Sequence, residues 1–272
     1  MEKGRANHVG DLSVNLDKPQ FLAVGEAEAT RRVAYRRRAS AGESPGLIWL
    51  GGFKSDMQST KAGAIDRYAG ERGRGFLRFD YSGHGASGGR FEDGTISRWL
   101  EESLAAFRAL TEGPQIVVGS SMGGWLALLL ARELERSGEL ARLAGMALIA
   151  PAVDFTEALL WASATETARR AIMEEGVWKR PSDYSEEPYV YTRALIEDGR
   201  KHLLLGGIVR SHCPTRILQG MRDPDVPFRH ALTLVEHMAD ESVTLTLVRD
   251  GDHRLSRPED LELLLQAIDA LA

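Results

Sequence analysis

The chain has 272 residues, of which 43% are hydrophobic and 27% are charged, and its formal net charge is −5. This is enough apolar sequence for a large core, and we expect one domain over residues 1–272. The negative charge does not favour nucleic-acid binding, and no apolar run approaches the length of a transmembrane helix. Because Cys213 is the single cysteine, an intramolecular disulfide is excluded.

Short apolar segments alternate with amphipathic ones over the first 150 residues. The predicted strands are an alternating stretch at Leu12, Val14 and Leu16, followed by 30–38, 47–50, 76–79, 116–118 and 146–150. One predicted helix spans 59–72, a second runs from Thr95 to the Gly113-Pro114 break, and a third follows Gly123. Such alternation is typical of a mostly parallel sheet that helices cover on both faces.

The same alternation returns after residue 215. Strands are predicted at 216–219 and 243–248 with a helix over 230–238 between them, and the last helix opens with a capping-box pattern at 256–259. Residues 154–211 interrupt the alternation with two helix-like stretches, many aromatic residues and no convincing strand. The fold class we predict is therefore α/β: an eight-stranded, mostly parallel sheet flanked by helices, with a helical cap insertion at 154–211.

A Gly-x-Ser-x-Gly pentapeptide stands at 119–123, between an apolar strand and an apolar helix. On a sharp strand-to-helix turn, small residues two positions before and after a serine let strand and helix approach, and the serine hydroxyl stands clear of the sheet. This spacing selects Ser121, because Ser120 would need a small residue at Val118. Taken alone, the pentapeptide fits equally well a strand–helix turn with an exposed serine.

Two further loops supply the partners that a serine nucleophile needs. Asp223 and Asp225 follow the predicted strand at 216–219, and His253 follows the strand at 243–248. A histidine can take the serine proton, and an acid fixes the histidine tautomer. We favour Asp223 because it comes sooner after its strand and Pro224 fixes the turn behind it; Asp225 stays the alternative.

The predicted binding groups come from the third strand and from the insertion. The N–H groups of Phe53, after strand 47–50, and of Met122, at a helix N-terminus, are the candidate oxyanion hole. The residues that we expect at the substrate are Gly52, Trp161, Trp178 and Tyr184. For the three aromatic residues, packing inside the cap is an equally good interpretation.

No metal or other cofactor is predicted. No His/Cys/Asp cluster has metal-ligand spacing, and the glycines of 83–89 do not form a dinucleotide fingerprint. His84, in that loop, could reach the pocket rim, although a histidine in a glycine-rich loop is usually structural or exposed. The expected partner is a small-molecule or protein-bound acyl ester or thioester, and the oligomeric state is not readable.

Several longer stretches resemble a known family. They are 52–57 with 60–62, 78–83, 113–125, 176–178, 181–187 and 252–254. The chain from about residue 45 resembles the α/β-hydrolase superfamily, and within it the palmitoyl-protein thioesterases and acyl-glucuronide esterases. The resemblance implies a Ser121–Asp223–His253 triad and hydrolysis of S-acyl cysteine in proteins and of acyl glucuronides. Because no organelle-targeting segment is recognised, we expect a cytoplasmic protein.

The sequence is compatible with some other functions of this fold and disfavours others. A small-molecule carboxylesterase fits the same residues, and so do carbon–carbon bond hydrolysis and perhydrolysis. Dehalogenases and epoxide hydrolases need an aspartate where Ser121 stands, so the sequence disfavours them. A binding protein without catalysis would usually lack a member of the triad, and this chain retains all three.

Overall fold

The computed structural model describes residues 18–181, 188–239 and 242–272. The strands in these ranges are β1 Gln20–Val24, β2 Arg31–Arg38, β3 Gly46–Leu50, β4 Phe76–Phe79, β5 Gln115–Ser120, β6 Leu143–Ile149, β7 Val177–Arg180, β8 Tyr189–Thr192, β9 Thr215–Gly220 and β10 Val243–Val248. The α-helices are α1 Thr60–Glu71, α2 Ile96–Leu110, α3 Met122–Ser137, α4 Glu166–Arg170, α5 Arg193–Gly199, α6 Phe228–His237 and α7 Pro258–Asp269.

Eight of these strands form one sheet in the order β1-β2-β4-β3-β5-β6-β9-β10. The pairs β1–β2 and β2–β4 are antiparallel, and the other pairs are parallel. The predicted eight-stranded, mostly parallel α/β architecture is thereby confirmed. Because β3, β5, β6, β9 and β10 run the same way, their carboxyl ends meet at one edge, where open α/β sheets bind ligands.

The sheet separates two apolar layers. Along β3, Leu47 and Trp49 face the layer that holds α1 and α7, whereas Ile48 and Leu50 face the layer that holds α2 and α3. All four side chains are buried. A parallel strand that is covered on both faces carries continuous apolar sequence, which is the pattern seen at 47–50.

The helix starts follow the local capping chemistry of the sequence. Ser59 and Thr95 are the N-caps of α1 and α2, and the side chain of Thr95 accepts from Arg98 N at 3.2 Å. Helix α7 begins one residue later than the predicted box: Arg257 is its N-cap, and Asp260 accepts from Arg257 N at 3.1 Å. The predicted strand at Leu12, Val14 and Leu16 lies outside the described residues.

The segment between β6 and β9 differs from the predicted all-helical insertion. It contains two π-helical turns, Thr156–Trp161 and Ala171–Glu175, the helices α4 and α5, and an antiparallel hairpin made of β7 and β8. Both segments of the hairpin contain aromatic and β-branched residues, which favour strands, and some of them pair across it, as Trp178 does with Tyr191. The designation of 154–211 as a cap stays a prediction.

In the described part of the chain, no helix combines the length and the apolar character that crossing a lipid bilayer requires.

Candidate active site

Ser121 occupies the turn between β5 and α3 in a strained conformation, with φ 55° and ψ −119°. The turn is this tight because a Cβ at Gly123 would lie 2.0 Å from the carbonyl oxygen of Leu50, and one at Gly119 would lie 2.4 Å from that of Gly123. Backbone hydrogen bonds hold the strain: Ser121 N donates to Ile149 O at 2.8 Å, and Ser121 O accepts from Gly124 N at 2.9 Å.

The loops after β9 and β10 bring an acid and a histidine to this serine. His253 Nε2 lies 3.1 Å from Ser121 Oγ, and His253 Nδ1 lies 2.7 Å from Asp223 Oδ2. The Asp223 side chain is fully buried, and that of His253 is 17% exposed. The three residues that the sequence singles out thus form one hydrogen-bonded row at the sheet edge.

The two candidate acids have different surroundings. Asp223 Oδ1 accepts from the backbone N–H groups of Asp225 and Val226 at 2.9 and 2.8 Å, and Gln219 Nε2 donates to Asp223 Oδ2 at 3.1 Å. The Asp225 carboxylate instead forms an ion pair with Arg180 of β7 at 3.5 Å. Donors to both carboxylate oxygens hold Asp223 in the orientation that faces His253.

The loop after β3 approaches the serine from the other side. A Cβ at Gly52 would lie 3.3 Å from Ser121 Cβ, so this backbone packs directly on the elbow. In the described part of the chain, the N–H groups of Phe53 and Met122 donate to no protein acceptor. Phe53, Met122 and Ser121 line the same cavity, so these two N–H groups stay the predicted oxyanion donors.

His84 supports this loop, which agrees with the structural alternative that the sequence analysis gave for it, although its partners were not predicted. Its ring is buried, Nε2 lies 3.1 Å from Lys54 N, and Nδ1 lies 3.3 Å from Ser82 O. Burial lowers the pKa of His84 to about 4, so we assign a neutral ring that accepts from Lys54 and donates to Ser82. The loop that carries His84 follows β4, and β4 pairs with β3. Predicting this pairing would have indicated that His84 lies near the loop after β3.

Two cavities meet at the serine and the histidine. The first, about 170 Å³, is bounded mainly by apolar and aromatic side chains together with an ion pair. These include Phe53, Met122, Phe155, Leu159, Leu160, Tyr189 and Tyr191, with Arg180 and Asp225. The second, about 440 Å³, is a more polar cleft, with Lys54, Asp56, Ser59, Lys61, Arg254 and Ser256 in its wall.

Of the described residues that we expected at the substrate, one lines a cavity at Ser121 and two do not. Gly52 lines the polar cleft. Among the described residues that bound the apolar cavity, neither Trp161 nor Trp178 is present. The guanidinium groups of Arg169 and Arg200 lie over the ring of Trp161. Trp178 stacks on Tyr191 with 5.8 Å between the ring centroids. Tyr184 lies outside the described residues.

Asp223, Asp225 and His253 also place ligand-type atoms within 4.8 Å of one another. Their hydrogen bonds account for this cluster without a cation. Both oxygens of Asp223 accept from N–H groups, and the positive charge beside Asp225 comes from Arg180. The donor set therefore fits a serine–histidine–acid row better than a metal centre.

Comparison with known proteins decides the family. The sequence profile of the alpha/beta hydrolase family matches residues 40–262. The chain belongs to the alpha/beta hydrolase family. It is therefore an enzyme of the hydrolase class, and the resemblance inferred from its motifs is confirmed.

Relatives of this hydrolase are found among both curated and solved proteins. It is 37% identical over 240 residues to the Bos taurus protein named palmitoyl-protein thioesterase ABHD10, mitochondrial, covering 88% of this chain and 76% of the relative. A crystal structure from Agrobacterium vitis S4 is 50% identical, with a TM-score of 0.90 and coverage of 93% and 98%. Mouse alpha/beta hydrolase domain-containing protein 10 is 32% identical, with a TM-score of 0.82 and the same coverage.

The expected cytoplasmic location is wrong. The five curated relatives of this hydrolase, including the Homo sapiens protein at 36% identity, are all named as mitochondrial. The expectation rested on a single cysteine and on the lack of a recognisable targeting segment. A single cysteine is compatible with any reducing compartment, and the names of the relatives overturn the inference from the targeting segment.

Proposed function

We propose that this hydrolase cleaves carboxylic esters or thioesters through an acyl-enzyme formed on Ser121. The observation that carries the proposal is the hydrogen-bonded row from Ser121 Oγ through His253 to Asp223. A serine hydroxyl is a weak nucleophile unless a base takes its proton. His253 is that base, and Asp223 fixes its tautomer and stabilises the imidazolium.

In the first half of the reaction, His253 Nε2 accepts the Ser121 proton as Oγ attacks the acyl carbonyl carbon. The tetrahedral oxyanion accepts hydrogen bonds from the N–H groups of Phe53 and Met122. The carbonyl then re-forms, the bond to the leaving sulfur or oxygen breaks, and His253 gives its proton to the leaving group. The product is a free thiol or alcohol together with the acyl-enzyme.

In the second half, water occupies the place of the leaving group. His253 takes a proton from this water as it attacks the acyl carbon of the ester on Ser121. The same two N–H groups stabilise the second oxyanion, and its collapse returns the proton to Ser121 Oγ and releases the acid. Each good donor of this kind typically contributes about 10²–10³ in rate.

The substrate class follows from the cavities and the relatives together. We propose that the acyl group enters the cavity bounded by Phe53, Phe155 and Tyr191, and that the leaving group lies in the polar cleft. Because the relatives are named palmitoyl-protein thioesterases, an S-acylated protein is the first substrate to test. A small-molecule carboxylesterase is the second candidate, since a cavity of about 170 Å³ is smaller than typical ligand pockets of roughly 300–1,000 Å³.

The test is kcat/KM for a chain-length series of acyl thioesters and matched oxyesters, with Ser121→Ala as the blank. We expect Ser121→Ala to fold normally and to lose at least about 10³-fold in kcat/KM, because the attacking atom is removed. A rise with chain length and a thioester preference would support the thioesterase. A preference for short or aryl oxyesters would support the carboxylesterase.

A fluorophosphonate probe supplies the second readout, because it labels an activated serine whatever the natural substrate is. We expect the probe to label wild type at Ser121 and to leave Ser121→Ala unlabelled. Absence of labelling in wild type, together with no Ser121-dependent turnover on any member of the series, would favour a binding protein built on this fold.

A further inference from the structure

Lys61 is a buried cation close to the active site that the proposed chemistry does not use. It lies in the first turn of α1, and the residue is 9% exposed. Its ammonium donates to the carbonyl oxygen of Arg254, and Ser256 Oγ lies 3.5 Å away. Both partners belong to the loop that follows β10 and carries His253. A side chain of α1 is therefore hydrogen-bonded to this loop.

That loop needs support because its backbone is strained. Leu255, two residues after His253, has a positive φ of 42°, a conformation that costs a non-glycine residue about 1–3 kcal/mol. Within the loop, Asp252 Oδ1 accepts from the N–H groups of Arg254 and Leu255 at 3.0 and 2.9 Å. Ser256 Oγ donates to Arg254 O at 2.9 Å. The Lys61 ammonium reaches the same carbonyl from a different element.

The charge at this position is energetically unfavourable, which argues against a packing role alone. Burial lowers the pKa of Lys61 to about 8, the charge of Arg254 adds to this lowering, and Asp252 and Asp260 oppose it. An apolar residue of similar length would fill the same volume without the desolvation cost. The cation is therefore accounted for by the contact that it makes with the loop.

We propose that Lys61 is a positioning residue for His253. The Lys61 ammonium fixes the Arg254 carbonyl, and with it the strained turn that keeps His253 Nε2 next to Ser121 Oγ. The proposal rests on the proposed function in one respect only, that His253 activates Ser121. It assigns Lys61 no contact with the reacting atoms, although this residue also lines the polar cleft. It also explains why α1, which follows the Phe53 loop, is joined to the loop of the histidine.

The test compares Lys61→Met and Lys61→Arg with Arg67→Met, a cation-to-methionine change at an exposed position of the same helix. The readouts are the second-order rate of fluorophosphonate labelling of Ser121, and kcat and KM for a p-nitrophenyl ester. We expect Lys61→Met to lower labelling and kcat by about 10–100-fold, since small misplacements of a catalytic group have effects of this order. KM should change much less than kcat, because Lys61 acts on the base through the Arg254 carbonyl, even though it lines the cleft proposed for the leaving group.

Lys61→Arg keeps the cation, so it should recover most of the lost rate, and Arg67→Met should behave as wild type. Rates are expressed per folded molecule, with the folded fraction taken from denaturant titration. Wild-type labelling and kcat in folded Lys61→Met would overturn the proposal. If wild type itself is not labelled, the proposed function fails; if wild type is labelled and Lys61→Met is unaffected, only the role of Lys61 fails.

Lys61→Arg also keeps the proposal testable if Lys61→Met does not fold. We then expect the labelling rate of wild type to fall relative to Lys61→Arg between pH 7 and 9.5, because lysine loses its proton in this range and arginine does not. The charged groups facing Lys61 are Asp252 and Arg254 in the loop, Asp260 on α7, and Lys54 and Asp56 across the cleft. Both proteins share them, so parallel pH profiles would overturn the proposal.

Discussion

At the scale of single residues, the choice between two neighbouring carboxylates is the sharpest question. Asp223→Asn should lower kcat/KM by about 10³–10⁴-fold, because an amide in place of the carboxylate no longer fixes the histidine tautomer or stabilises the imidazolium. Asp225→Asn should change it by less than about fivefold, since the Asp225 side chain pairs with Arg180. The measurement is kcat/KM for one ester at pH 7 with both variants.

The same two variants also show whether Asp225, and not Asp223, is the acid that acts with His253. A large loss in Asp225→Asn beside near-normal Asp223→Asn would make Asp225 the acid. Equal losses in both would mean that the loop collapses when either carboxylate is removed. Their thermal unfolding midpoints separate this second case from a catalytic effect.

The residues most readily predicted from the sequence are those with a fixed order along the chain. Ser121, Asp223 and His253 could be proposed because each follows a predicted strand and the three occur in the order expected of this fold. The roles of His84 and Lys61 depend on contacts between segments that are distant in sequence, such as Lys61 with Arg254. No periodicity or spacing encodes such a contact, so it becomes visible only when the neighbouring strands and helices are placed.

At the scale of elements, the turn between β5 and α3 tolerates almost no added volume. Gly123→Ala should destabilise the fold by about 3 kcal/mol or more, because its Cβ would lie 2.0 Å from the Leu50 carbonyl oxygen and backbone cannot easily move there. Gly63→Ala is the matched control, because a Cβ on this α1 residue meets nothing within 4 Å. It should stabilise the protein by about 0.5–1 kcal/mol.

Urea titration of both variants measures these two effects. A Gly123→Ala protein as stable as wild type would mean that the strand and helix can separate at the elbow, and that the strained serine conformation does not depend on their close approach.

The parallel part of the main sheet was predictable because its strands are short, apolar and separated by amphipathic helices. The edge strand β1, Gln20–Val24, was not predicted. The β7–β8 hairpin was not, although Tyr189 and Tyr191 alternate as strand residues do. Four-residue strands give too short a pattern to distinguish from a helix, and the pairing of Trp178 with Tyr191 is a tertiary fact. The aromatic side chains that bound the cavity come from this hairpin and from Phe53 and Phe155. Trp161 and Trp178 are not among them, and their role at the substrate stays a prediction.

At the scale of the whole molecule, the hydrogen-bonded row of Ser121, His253 and Asp223 joins segments from distant parts of the sequence. Ser121 and His253 are 132 positions apart, and Lys61 and Arg254 are 193 apart. The parallel strands bring these segments to one edge, so the geometry of the site depends on the integrity of the complete sheet. Groups that affect global stability therefore affect the site as well, and His84 is such a group.

Acid should destabilise the fold through His84. Its folded pKa of about 4 lies below the reference value of 6.5 because the ring is buried. Between these values the unfolded chain binds a proton that the folded protein does not, so stability falls as the pH is lowered through this range. From pH 7 to pH 5, this shift corresponds to about 2 kcal/mol of lost stability.

His84→Gln removes the titrating ring and retains a side-chain oxygen that can accept from Lys54 N. Wild type should therefore lose about 2 kcal/mol more of its unfolding free energy than His84→Gln between pH 7 and pH 5, as measured by urea titration at each pH. Asp80, Glu102 and Asp154, whose pKa values burial raises, titrate in both proteins, and their contributions cancel in this difference. Parallel losses in the two proteins would mean that the folded protein accepts the proton on His84. In that case the hydrogen bond from Lys54 N to His84 Nε2 must break reversibly, and the loop that carries Phe53 would be held by the aromatic contacts of Phe53 with Phe91 and Trp99.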